Sequence, residues 1–471
     1  MQSNDFGRNR EKIKNTIIRY ENMLKNEQNE YFGVDDFEEI IEYYLNENKV
    51  NNALDACNLA LKSFPFSLEV TLQKIQIFAN FNKYNEALIL IENLKLMYPS
   101  DLEVSFLQAN ILLLNENLEE SIQLFESILE LYHEKEEIYL KIGAAHQKLG
   151  NFEMAIPIYQ KAINLNTSNQ EVFTELIFCL NLTDKLEEFL DYFKLLIDKD
   201  PYSAVAWYNF GMANSKLGKW PEAIEAFEFA IVVDDQYSDA YFNAGNACMN
   251  NDDYPNAQKY YLKALEYNPD SADLLCHIGA SFEDNEQYIE ALNYYKKAAF
   301  ADENWDEAYY GIATSLSLLE RYLEAIHYSK KAIKLSPKNS YYWLELAENE
   351  GKLGNEISAE EAYLKATELD NYNIDAFISW SMYYYGLENY DKAIEIMEMG
   401  LEDQPDESEF YYRIAIYLLA ARRMKEAINY LEVALNLYYD GHLILYEFFT
   451  DLATQKTIFK IVEQYKPDKN S

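Results

Sequence analysis

The sequence reads as an all-α protein, an α-solenoid of stacked helix hairpins, on three observations. It resembles itself every 34 residues, small side chains recur at fixed places in that period, and proline recurs where one hairpin should end. Repeats starting at residues 34, 68, 102, 136, 170, 204, 238, 272, 306, 340, 374 and 408 fill 34–441 without insertion or deletion.

Numbering places from 1 to 34 within each repeat shows what the period encodes. Place 20 is Ala in ten of the twelve repeats, from Ala53 to Ala427. Place 8 is Gly, Ala or Ser in nine, among them Gly143, Gly211, Gly245 and Gly279. Place 27 is Ala or Gly in nine, and place 4 is aromatic in nine, including Trp207, Tyr241, Trp343 and Tyr411. Places 4, 7, 8 and 11 share one face of a first helix, and 17, 20, 24 and 27 one face of a second. Small residues at 8, 20 and 27 let the helices approach, and large ones interdigitate around them. Pro65, Pro99, Pro201, Pro269, Pro337 and Pro405 at place 32 cannot continue the second helix, whereas Pro221 and Pro255 at place 18 suit its first turn.

These residues resemble the tetratricopeptide (TPR) family across about 408 residues. The resemblance implies a right-handed superhelix with a concave groove that binds peptides and other proteins. It also implies that places 2, 5, 6, 9, 12 and 13 line that groove.

Taken in chain order, residues 1–33 form an N-terminal capping segment, with one amphipathic helix over 9–28 carrying Ile13, Ile17, Tyr20 and Leu24 on its stripe. Repeats one and two depart from the pattern with Ile41 and Ile75 at place 8, and Pro157 should kink the second helix of repeat four. Repeat five carries Ile177, Phe189 and Leu196 where small residues belong, so 34–201 reads as a more degenerate half, separated by a seam from a regular half, 202–441. In 442–471, Leu443, Leu445, Phe448, Phe449, Leu452, Ile458, Phe459 and Val462 read as one or two closing helices.

Charge narrows the partner. The chain has 40 Lys+Arg against 80 Asp+Glu, a formal charge of −40. Both flanks are nearly balanced, so the repeats hold the excess. Such a body repels phosphate backbones and anionic lipid, which excludes nucleic acid and membrane surfaces as expected partners. No run is long and apolar enough to span a bilayer, and the first fifteen residues lack the apolar stretch of a secretory signal. Four cysteines without paired spacing fit a reducing, cytoplasmic compartment.

Catalytic constellations are absent from the sequence. The five histidines show no zinc spacing, and no CxxC, GxSxG, phosphate loop or dinucleotide fingerprint occurs. Cys276 beside His277 is no dyad, because neighbours on a helix point about 100° apart. The expectation is a non-catalytic scaffold or adaptor without cofactor or metal. The alternatives are a peptide-sensing regulator or a helical accessory subunit of an enzyme complex.

The candidate site lies on the stripe of repeats six to eight. Tyr208 and Phe242 at place 5 offer rings, as do Tyr310 and Tyr412 in later repeats. Asn209 and Asn243 at place 6, with Asn246 at place 9, offer carboxamides that could hold a peptide backbone. His277 takes place 6 in repeat eight. Asp239, Asp273 and Glu307 at place 2, with Glu283 and Asp284 nearby, form an acidic track suited to a protein or peptide partner bearing Lys or Arg. The Lys and Arg positions with which TPR clamps hold acidic C-termini are occupied otherwise, by Tyr208, Asp273 and His277.

Overall fold

The computed structural model describes residues 2–26, 30–449 and 452–466. Among these the regular structure is helical, with no strand, and the helices follow one another as consecutive antiparallel-type hairpins. The chain divides into two compact units, Met1–Asp235 and Gln236–Ser471. That division falls one repeat beyond the expected 201/202 boundary.

Repeat seven illustrates the hairpin, with a first helix Ser238–Asn250 and a second Tyr254–Tyr267. Most first helices are capped by a side chain at place 34 of the preceding repeat. Asp101 Oδ1 accepts from the Val104 amide at 3.0 Å, Ser203 Oγ from Ala206 at 3.2 Å, and Ser271 Oγ from Leu274 at 3.2 Å. The turn between the two helices passes through a left-handed residue at place 15, from Asn48 (φ 55°) to Arg422 (φ 61°). Gly150, Gly218 and Gly354 take it without steric cost, and Asn or Asp with little. Glu116, Glu286, Glu320, Glu388 and Arg422 hold the same conformation against their Cβ atoms.

The core follows the small-against-large pattern. The rings of Tyr159, Phe227, Tyr261 and Tyr295 at place 24 lie on Gly143, Gly211, Gly245 and Gly279 of their own repeats. A Cβ on Gly211, Gly245 or Gly279 would stand 2.5–2.8 Å from a ring carbon, so no other residue fits unless the ring moves. Ala223, Ala257 and Ala291 at place 20 are fully buried. Place 4 and place 32 are linked as well: Trp207 Nε1 donates to the Pro201 carbonyl at 3.0 Å, Trp343 Nε1 to Pro337 at 3.0 Å, and Tyr411 Oη to Pro405 at 2.9 Å. Each bond ties the start of a first helix to the turn before it.

Repeat five shows what bulky residues do to this scheme. Its second helix is only ten residues, Leu190–Lys199, against fourteen in Trp220–Val233 of repeat six. Phe189 occupies the place normally held by Ala, and it precedes the helix as its N-cap residue. An aromatic ring does not fit a contact sized for a methyl group, so the first turn of the helix is given up. Ile177 and Leu196 are nevertheless buried, in a cluster with Phe173 and Phe193. Pro157 lies inside Phe152–Leu165, which continues helically past it.

At the N-terminus, the helix Gln2–Asn26 buries Ile17 and Tyr20, with Tyr20 5.8 Å from the Phe32 ring and 6.2 Å from Phe37. Leu24, expected on the same stripe, is exposed, because the apolar contact ends before it. Residues 27 and 28 of the expected helix lie outside the described residues. At the other end, Tyr439–Leu443, Ile444–Phe448 and Leu452–Val462 are helical. Leu445, Ile458 and Val462 are buried, whereas Leu443 and Phe459 are exposed, contrary to the expected closing face. Tyr412 is fully buried and donates to the Tyr438 carbonyl at 2.7 Å, so it is a core residue and not a groove aromatic.

Candidate functional site

In the first compact unit, two expected site residues turn out to be packed. Tyr208 is 8% exposed, with its ring 5.7 Å from Phe227. Asn209 is 1% exposed. Its Nδ2 donates to Gln170 Oε1 at 2.9 Å and to the Val205 carbonyl at 2.8 Å, while its Oδ1 accepts from Gln170 Nε2 at 3.1 Å. The carboxamide is engaged at both ends. A side chain on place 6 reaches the neighbouring first helix when that helix offers a long amide, and Gln170 does.

In the second unit, Asp239 is exposed and Asn243 Nδ2 donates to its carbonyl at 2.9 Å. Asn246 Oδ1 accepts from Tyr261 Oη at 2.7 Å. The Phe242 ring meets His277 edge-on at 5.1 Å, and Tyr261 lies 5.9 Å from Phe242 and 5.7 Å from His277. His277 Nε2 stands 3.6 Å from Asp273 Oδ1, one helical turn away. Phe242, Asn246, Asp273 and His277 are thus brought together around Tyr261. Asp239 and Asn243 share one helix turn beside them.

The concavity itself is centred farther along. A cavity of about 440 Å³ is lined by Asp273, His277 and Glu283 on the first helix of repeat eight (Ala272–Asp284), and by Glu307, Tyr310 and Thr314 on that of repeat nine (Asp306–Leu318). Tyr341 and Tyr342 of repeat ten close one side. The places represented on the first helices of repeats eight and nine are 2, 5, 6, 9 and 12. Three carboxylates line this space, and no Lys or Arg does.

Its walls are set by packing. Gly311 at place 6 has no side chain to fill the cavity, and the Tyr295 ring occupies the space against it. Tyr310 and Tyr342 lie 5.0 Å apart, and Tyr342 Oη donates to Asp306 Oδ2 at 3.0 Å. Glu283 Oε2 accepts from Ser315 Oγ at 2.9 Å and Thr314 Oγ1 at 3.0 Å. Burial pushes its carboxyl above the usual range, with these two hydroxyls pulling the other way. Glu345, at place 6 of repeat ten, is more deeply buried. Asn349 Nδ2 donates to its Oε1 at 2.6 Å, and burial pushes its carboxyl up to about 7.

Sequence reasoning reached Asp273, His277, Glu283, Glu307 and Tyr310, and it centred its candidate site one to two repeats before this cavity. The signal it could have used is Gly311, a glycine at a place where the neighbouring repeats carry His277 and Glu345. Cys276 also borders the cavity, but burial raises its thiol to about 12, which leaves no thiolate at neutral pH. Among the described residues no cluster of His, Cys, Asp and Glu could hold a metal ion, and no helix is long and apolar enough to cross a membrane.

Three family models described as tetratricopeptide repeat match the chain, at 238–271, at 136–169 and 306–339, and at 379–439. No curated protein matches it. Solved structures that resemble it include YrrB, described as a TPR protein with an unusual peptide-binding site (22% identity, 40% of this chain and 96% of that one, TM-score 0.34). MamA is similar at 27% identity over 37% of this chain and 94% of that one, with a TM-score of 0.31. The Cut9–Hcn1 hetero-tetramer of APC/C aligns over 97% of this chain and 96% of its own at 14% identity, with a TM-score of 0.37.

Proposed function

This chain belongs to the tetratricopeptide-repeat family, and we propose that it is a non-catalytic scaffold or adaptor whose second compact unit holds an extended, basic segment of a protein partner. The observation that carries this reading is the cavity lined by Asp273, Glu283 and Glu307 without a Lys or Arg among them. A Lys or Arg side chain entering it meets the exposed carboxylates of Asp273 and Glu307 and the half-buried Tyr310 ring, so Coulomb attraction and cation–π contact act together. Asp239 and Asn243 extend the acidic and amide surface one repeat earlier, with Phe242 beside them. A peptide backbone pairs with Asn243 by replacing its bond to the Asp239 carbonyl. The four buried free cysteines fit a reducing, cytoplasmic setting.

The test is binding of the full chain to an array of ten-residue peptides differing in one Lys, Arg, Glu or Ala. Peptides with Lys or Arg are expected to bind, and the Asp273→Asn, Glu307→Gln double variant to slow association and flatten its salt dependence. Asn243→Ala is expected to cost about 1–2 kcal/mol of binding. Basic peptides that bind the triple variant as they bind the parent would place recognition elsewhere. A turnover in a broad hydrolase, transferase and oxidoreductase screen, lost on mutating one buried polar residue, would overturn the non-catalytic reading.

A further inference from the structure

Of the helical glycines whose surroundings the structure describes, all but one have a packing reason. Gly143, Gly211, Gly245, Gly279, Gly311 and Gly400 each face an aromatic ring too close to admit a Cβ, and a Cβ on Gly351 would touch the Tyr383 ring at 3.1 Å. Gly386 differs. It ends the helix Ile374–Gly386 of repeat eleven, its φ is not left-handed, and a Cβ there would meet nothing within 4 Å. The left-handed residue of that turn is Glu388, two positions on. Neither backbone conformation nor packing within the chain calls for glycine at 386, although glycine is a poorer helix former than alanine. The remaining physical use of a missing side chain is space for something outside the chain.

That space exists. Gly386 lines a cavity of about 540 Å³ in the second compact unit, with Gly351, Tyr363, Met382, Tyr383 and Leu387 around it. Its two charged lining residues, Glu348 and Lys352, have opposite signs. Glu348 is further engaged by Ser379 Oγ at 2.6 Å. Unlike the cavity at Asp273, this one is electrically balanced and walled by rings and aliphatic chains, which suits an uncharged, bulky occupant.

We infer that the cavity over Gly386 is a second subsite for the bound segment and takes a large aromatic side chain. The inference rests on the proposed groove function and adds the ligand's register to it. Both cavities border the helix Ser340–Lys352, the first at Tyr342 and the second at Gly351. Nine residues of helix span about 13 Å, which an extended chain covers in about four residues. The ligand therefore carries a basic residue and an aromatic residue about four positions apart.

Two peptide series test this on the full chain: one Lys with Ala elsewhere, and the same Lys with Trp or Phe placed two to eight residues away. The aromatic is expected to tighten binding at least tenfold, most at a spacing near four. Gly386→Leu grows a side chain into the open space. It should abolish that gain while leaving the Lys-only peptides and the melting temperature unchanged. Met382→Lys, which charges the cavity wall, should also abolish the gain, at some cost in stability because Met382 packs against the core, and Gly386→Ala should reduce the gain less than Gly386→Leu. No gain from an aromatic at any spacing, with Lys-only peptides still bound, overturns the subsite and leaves the groove reading standing. So does a gain that survives both Gly386→Leu and Met382→Lys. Failure of both series to bind at all overturns the groove reading, and this inference with it.

Discussion

The Tyr295 ring lies on Gly279, a ring carbon 2.8 Å from where a Cβ would stand, and reaches Gly311 of the next repeat as well. One ring thus couples the hairpin of repeat eight to repeat nine and forms a wall of the acidic cavity. Gly279→Ala is expected to destabilise the chain by about 1–3 kcal/mol, because the ring is hemmed in on both sides. Gly279→Ala with Tyr295→Leu should be less than additive, since the smaller side chain makes room. Chemical denaturation of the two single variants and the double variant measures this, and additive losses would mean that the ring is free to shift.

The left-handed turn residues offer the opposite effect. Glu320 holds φ at 60° without a side-chain hydrogen bond to justify glutamate there. Glu320→Gly removes the Cβ clash, worth about 1–2 kcal/mol, and adds backbone freedom to the unfolded chain, so a net gain of about 0.5–1 kcal/mol is expected. Glu116→Gly, at φ 61°, should behave alike. Thermal melts showing either variant to be less stable than the parent would rule out strain at this place.

Glu345 predicts a pH dependence. Its carboxyl is raised to about 7 by burial, so the folded state favours the protonated form. The associated stability is fully present below the unfolded value near 4.5 and is lost as pH rises through 7. Glu345→Gln keeps an oxygen for Asn349 and removes the charge. It should match the parent at pH 4 and exceed its stability by about 2–3 kcal/mol at pH 8. Denaturation midpoints across that range decide it, and an offset between the two curves that does not change with pH would show that Glu345 does not titrate there.

Repeat five should be the locally weak point of the first unit. Its second helix has lost a turn, and Phe189 stands ahead of it as the N-cap residue. Amides of residues 184–199 are expected to exchange with solvent faster than those of Trp220–Val233, because nearest-neighbour contacts stabilise a repeat array. Equal protection across repeats four to six would remove the proposed seam.

The repeat was legible in the sequence because its contacts are local. Place 8 faces place 24 within one hairpin, so Gly245 and Tyr261 declare their contact by spacing alone. Place 4 and place 32 behave alike, as Trp343 and Pro337 show. The same reading missed the left-handed residue at place 15, since glutamate there carries no turn signal, and although it marked Phe189 as too bulky it did not foresee that the ring displaces the helix start.

The site was legible only in part, for a physical reason. Sequence periodicity assigns a side chain to a face, and it put Asn209, Asp273 and Glu307 on the same stripe. Whether a residue on that stripe is spent on the fold or left for a ligand depends on its neighbours from other repeats. Gln170 consumes Asn209, residues 438–441 close over Tyr412, and the absent side chain of Gly311 opens space beside Glu283. By itself the sequence determined the helical repeat, its register and its acidity, all of which rest on residue type at fixed spacing. The tertiary structure alone decided where cavities open along that stripe, because a cavity is set by what neighbouring helices leave unfilled.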